Sequence, residues 1–197
     1  MKDLEYSLRR FSNIFGRDDF DIGTVAYRDR TSIQKPNEIP FSDELLFFYE
    51  HLDLSENAIV GGSLSLQINK FSNLVGAQNG WRWVKDETGT VIKSNLWNDA
   101  WVVIGNRNGD ALFVDTSATP NTVHASILRD HFKVANSLAR FFDVFSDWME
   151  CEFTDFDMEG CDEDLNETPE FLDKLENLAK AKLQDDEVSG FMKYFFS

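Results

Sequence analysis

The stretch AWVVIGNRNGDALFVDTSATPNTVHASI, residues 100–127, decides the fold. Its first apolar run, at about 100–105, has the length and β-branched content of a buried strand. Asn108-Gly109 supplies the positive φ that a tight hairpin turn requires. A return strand follows at about 111–116, and Pro120-Asn121 turns the chain into a third at about 122–127. Three strands joined this closely make an antiparallel meander. Val102, Ile104, Leu112 and Val114 are expected on its buried face.

Helices flank the meander in sequence. From Val134 to about Glu150 the apolar residues Leu138, Phe141, Phe142, Phe145 and Trp148 recur at helical steps. Upstream, Leu4, Leu8, Phe11 and Phe15 predict an amphipathic helix over 2–15, which Gly16 can end. Residues 17–39 read as a loop with one short strand near Ile22–Tyr27. After Pro40, Ser42 is placed to cap a second helix, and Asp43 and Glu44 favour its N-terminal dipole. Ile59, Leu64, Leu66 and Ile68 suggest two short strands around a Gly61-Gly62 bend, and a short helix is expected near Phe71–Ala77. Thr88-Gly89 marks a turn between tryptophan-bearing segments. The fold class is therefore α+β.

The last quarter differs in composition. Residues 151–197 hold 14 Asp and Glu against 4 Lys and Arg, whereas residues 1–150 hold 21 against 15. Residues 152–167 are nearly all acidic or polar. Thr168 and Pro169 then open a helix whose apolar stripe is Phe171, Leu172, Leu175, Leu178 and Ala179, running to about Leu183. A last short apolar run, GFMKYFF, follows. The expected organisation is one α+β domain over 1–150 and an acidic linker with a helical extension over 151–197, packed on it.

Composition bounds the function. A net charge of −16 argues against sequence-independent nucleic-acid binding, which needs Lys and Arg to neutralise phosphates. It favours steering towards a basic protein partner. The opening run MKDLEYSLRRFSNIF lacks the apolar core of a signal peptide, and no later run approaches a membrane span. Two cysteines do not make a disulfide framework, so a reducing cytoplasm is the expected compartment, with no membrane association.

No catalytic or metal-binding pattern emerges from the motifs. Asp155, Asp157, Glu159 and Gly160 resemble the opening of a calcium loop, but the twelfth position is Asn166 where a bidentate Glu is needed. His51, His124 and His131 lack metal-ligand spacing with one another or with Cys151 and Cys161. His124, beside Val123 on a strand, reads as structural. Asp130-His131 has no nucleophile turn to serve, and Gly61-Gly62 is no phosphate loop. Neither cofactor nor metal is expected. The carboxylates Asp155, Asp157, Glu159, Asp162, Glu163 and Asp164 are candidates to oppose a basic surface, with Phe153 and Phe156 as interleaved anchors. A solvated connection is the alternative. Trp81 and Trp83, with Trp97 and Trp101, read as core rim or as contact residues.

The order of elements resembles the SUKH superfamily, which includes bacterial immunity proteins and a yeast regulator of cell-wall synthesis. The residues that carry the resemblance are Pro40 with the helix Leu45–Tyr49, Trp97 and Trp101, and Gly109-Asp110-Ala111-Leu112-Phe113-Val114-Asp115. Val123-His124-Ala125, Ser137-Leu138 and Phe141-Phe142 complete it, so it covers about Pro40 to Trp148. The resemblance implies an α+β fold with a central, mostly antiparallel sheet and flanking helices, in a non-enzymatic protein that binds a cognate toxin domain. The alternative it carries is a regulatory or scaffold protein in cell-envelope synthesis or signalling; a hydrolase is the weakest reading.

Overall fold

The computed structural model describes residues 1–197. Helix α1, Lys2–Ile14, buries Leu4, Leu8, Phe11 and Ile14 on one face. Strand β1, Val25–Tyr27, pairs antiparallel with β2, Leu52–Leu54. Between them lies α2, Asp43–His51, whose N-terminus is closed by Ser42 accepting the Leu45 N–H. Strands β3, Ala58–Val60, and β4, Leu66–Ile68, follow, with Leu64 buried in the turn between them rather than on a strand. The helix expected near 71–77 is two short 3-10 turns, Phe71–Asn73 and Gly76–Gln78. A separate two-stranded ribbon, β5 Trp83–Lys85 and β6 Val91–Lys93, turns at Thr88-Gly89 as the sequence predicts.

The meander has four strands where three are expected: β7 Trp101–Arg107, β8 Asp110–Asp115, β9 Thr122–Ile127 and β10 Asp130–Ala135. With β4 and β3 they form one antiparallel sheet in the order β10-β9-β8-β7-β4-β3. Strand β10 displaces the start of the helix expected from Val134. That helix, α3, spans Leu138–Thr154, with Ser137 accepting the Arg140 N–H. Helix α4, Pro169–Lys180, is capped by Thr168. The terminal apolar run lies inside a further helix, α5 Asp185–Phe196, opened by a reciprocal Gln184–Glu187 capping box. Gly190 does not break that helix. A Cβ there would run into the Lys133 carbonyl, so its bareness lets α5 lie close on β10.

Strand alternation divides the core. Val102, Ile104, Leu112 and Val114 share one buried cluster with Phe11, Phe141, Phe145, Phe171 and Phe195. Val103, Ala111 and Phe113 point the other way, to Trp97, with Trp81 and Trp101 packed around it. The boundary drawn at position 150 falls within α3, and α4 and α5 bury their stripes in the first cluster. No helix is long and apolar enough to cross a membrane.

Candidate partner-binding surfaces

The acidic segment between α3 and α4 is a closed loop. The Met158 N–H donates to the Glu152 carbonyl, and the Glu159 N–H to that of Phe156. Cys161 bridges antiparallel to Glu167, and the Thr168 N–H donates to the Gly160 carbonyl. The tip, 162–166, is held by Asp162, whose carboxylate accepts the N–H groups of Asp164 (2.9 Å) and Asn166 (3.0 Å). Gly160 is buried under the Phe171 ring.

All six carboxylates singled out from the sequence are exposed. Only Asp155 has a counter-ion, Lys174 at 3.1 Å, whose hydrogen bond holds that carboxyl below its usual range. Asp157, Glu159, Asp162, Glu163 and Asp164 form no ion pair. Leu165 stands at the tip with 84% of its surface exposed and a positive φ of 63°. Phe156 serves the core, meeting Phe171 edge-on at 5.0 Å, and Phe153 is half-buried on the last turn of α3. A cleft of about 470 Å³ opens beside the loop between Asp155, Phe156, Glu170, Lys174 and Asn177.

Trp81 and Trp83 do not join this surface. They lie in the connection over the opposite face of the sheet, where Trp81 packs on Trp97 at 5.4 Å. Three buried groups hold the connection down. Gln78 donates to the Leu74 and Val103 carbonyls and accepts the Val103 N–H. Arg82 donates to the carbonyls of Asp99 (2.8 Å) and Trp101 (2.9 Å), and the Trp97 indole also donates to the Trp101 carbonyl. The β5–β6 ribbon projects from this base. Its turn is fixed by the Asp86 carboxylate, which accepts from the N–H groups of Thr88 and Thr90 and from the Thr88 hydroxyl.

Sequence reasoning missed two parts of this side. Val91, Ile92 and Leu96 are 61%, 44% and 70% exposed, and Leu128, at the β9–β10 turn, is 92% exposed. Periodicity flags buried faces, not exposed ones, and Leu128-Arg129 carries no turn signature. Arg129 donates to the Gly80 carbonyl at 2.6 Å and lies over the Trp81 ring at 5.1 Å, tying that turn to the ribbon base.

The remaining titratable groups are dispersed. His124 stacks on Phe113 at 5.4 Å and shares a 2.9 Å hydrogen bond with Thr122, and burial pushes its pKa down. His131 packs edge-on against Trp101 at 5.1 Å and is lowered for the same reason. Burial raises the Cys151 thiol to about 11 and pushes the Glu152 carboxyl up, although Glu152 accepts the Ser63 N–H at 2.7 Å. No three His, Cys, Asp or Glu side chains converge as metal ligands would. Compared with family models, curated proteins and solved structures, the chain matches none of them.

Proposed function

We propose that this chain is a non-enzymatic binding protein of the immunity type, which neutralises a cognate toxin domain by laying the acidic loop against a basic surface on it. One observation carries the reading: five carboxylates without counter-ions stand on a loop whose own hydrogen bonds hold it closed, around an exposed leucine. A mobile charge run loses conformational freedom on binding, whereas a loop already ordered loses little. The carboxylates attract a basic partner from a distance, and Leu165 offers an apolar contact once it arrives. The SUKH-like order of elements supports the toxin as partner and the cytosol as the place of action. A second, apolar surface across the sheet favours the alternative of a regulatory scaffold that holds two partners.

Co-expression with the product of the adjacent gene, followed by co-purification, supplies the partner for the test. Converting Asp155, Asp157, Glu159, Asp162, Glu163 and Asp164 to their amides removes six charges at nearly constant size. The association rate should fall about ten-fold or more at low salt, with the dissociation rate little changed. Raising the salt to about 0.15 M should shrink the gap, because exposed charges are then screened beyond about 8 Å. Equal association rates at low salt for parent and variant would remove the loop from the interface.

A further inference from the structure

On the opposite side of the sheet from the acidic loop, the β5–β6 ribbon and the β9–β10 turn enclose a groove of about 460 Å³. Trp83, Val84 and Val91 give it an apolar floor, and Gly80, Lys85 and Arg129 line its margin. Of the exposed large hydrophobic side chains, Val91 lines this groove and Leu128 stands beside Arg129 in the adjoining turn, whereas Ile92, the next residue along β6, faces the other side of the ribbon. The ribbon is fixed at its turn by Asp86 and at its base by Arg82, which makes the groove a preformed surface. Its charge is the inverse of the chain as a whole. The net charge is −16, yet the groove is flanked by two cations with no carboxylate partner: Lys85 forms no ion pair, and Arg129, which gives one hydrogen bond to the Gly80 carbonyl and lies over the Trp81 ring, forms none either.

We infer that this groove is a second binding site, for a partner segment that presents a branched aliphatic or aromatic side chain flanked by carboxylates. The side chain covers Trp83 and Val91, and the carboxylates meet Lys85 and Arg129. Aromatic and arginine residues around a preformed apolar pocket are the usual anchors of such contacts. The site is independent of the acidic loop, which seeks a basic partner, so either can fail without the other.

The test uses the full-length, isotope-labelled protein and two synthetic peptides. One has leucine and phenylalanine at its centre with glutamates on either side; in the other, lysines replace the glutamates. The Trp83 indole resonance should shift and saturate with the acidic peptide, and the lysine peptide should bind about ten-fold more weakly. Lys85→Glu should erase that preference, and Val91→Asp should abolish binding of both; both positions are exposed, and an unchanged spectrum elsewhere confirms the fold. Equal binding of the two peptides, or no shift at Trp83 up to about 1 mM, which corresponds to only about 4 kcal/mol of binding, overturns the inference. A concentration-dependent shift of the same resonance without peptide also overturns it, because a second copy of the chain would then be the occupant.

Discussion

The two faces of the six-stranded sheet are closed by different physics. On one, Val102, Leu112 and Val114 meet the phenylalanines of α1, α3 and α5, and rings pack together through Phe11–Phe142, Phe141–Phe191 and Phe145–Phe195. That face is sealed by apolar area, which is non-directional and tolerant of exact placement. On the other, a smaller aromatic cluster lies under a connection held by a few hydrogen bonds from Gln78, Arg82 and Trp97 to backbone groups. Directional bonds fix where the cover sits while leaving its outer side free. That is why the ribbon can carry exposed Val91 and Ile92 without collapsing onto the core.

The largest expected effect tests this contrast directly. Phe141 is fully buried among Phe142, Phe145 and Phe191, so Phe141→Ala should cost about 3–5 kcal/mol. Val91→Ala, on the ribbon, should stay within about 0.5 kcal/mol. Urea titrations of the two variants check both values. A Phe141→Ala loss under about 1 kcal/mol would mean that the helical face is not the principal core.

Next in size is the polar tie. Arg82→Met keeps the aliphatic stem but takes the guanidinium donor from the Asp99 carbonyl and leaves the Trp101 carbonyl with the Trp97 indole alone, at about 1–3 kcal/mol. Amide exchange should quicken in β5 and β6 and remain slow in α3. Uniform acceleration across both faces would show that the cover and the helical core open together.

Acid should act on the two faces with opposite sign. Burial lowers His124 and His131 below their usual 6.5, so the unfolded chain takes up protons first as the pH falls. Their contribution is present above about pH 6.5 and is lost as the pH drops through the window below it. Burial raises Glu152 above its usual 4.5, so there the folded chain takes up the proton first, and stability is gained as the pH falls through the raised value. Stability measured from about pH 8 to pH 4 should therefore show His124→Gln with His131→Gln gaining on the parent below about pH 6.5. Glu152→Gln should show its greatest advantage at the alkaline end. Curves parallel to the parent would reject the assignment for that residue.

The sequence exposed those parts of the fold whose signals are local. Asn108-Gly109, the Ser42 and Thr168 caps and the Phe141–Phe145 spacing all lie where they were expected, because turn, cap and stripe chemistry act within a few residues. What escaped depended on distant partners. Strand β10 reads DHFKVA, whose alternation is only His131-Phe132-Lys133-Val134 long and runs straight into the apolar stripe of α3, and it is a strand because β9 pairs with it and α5 covers it. Gly190 looks like a helix breaker until the Lys133 carbonyl is placed beside it. The acidic residues were visible as composition. Their order was not, because it comes from the Asp162 carboxylate, the Cys161–Glu167 bridge and the Phe171 ring over Gly160. The separation of Trp81 and Trp83 from those acids likewise follows only from which face of the sheet each segment covers.

The smallest expected effect concerns two turns of the same meander. Asn108 and Gly109 take φ values of 52° and 92°, and Leu128 and Arg129 take 48° and 70°. Both hairpins thus place two central residues in the left-handed region, but only the first uses residues suited to it. Leucine there brings its Cβ towards the next carbonyl, a cost of about 1–2 kcal/mol that asparagine largely avoids. Leu128 recovers little of this by packing, being 92% exposed. Leu128→Asn should therefore stabilise the protein by about 0.5–1 kcal/mol, read as a higher urea midpoint at unchanged slope. Arg129 is left in place because it ties the turn to Gly80 and Trp81. Strain at an exposed apolar residue has a use if that residue makes a contact in a complex. The same variant should then bind the acidic peptide less well while folding more stably. Unchanged or lower stability would show that the turn carries no strain and that Leu128 has only its exposure to mark it as a contact residue.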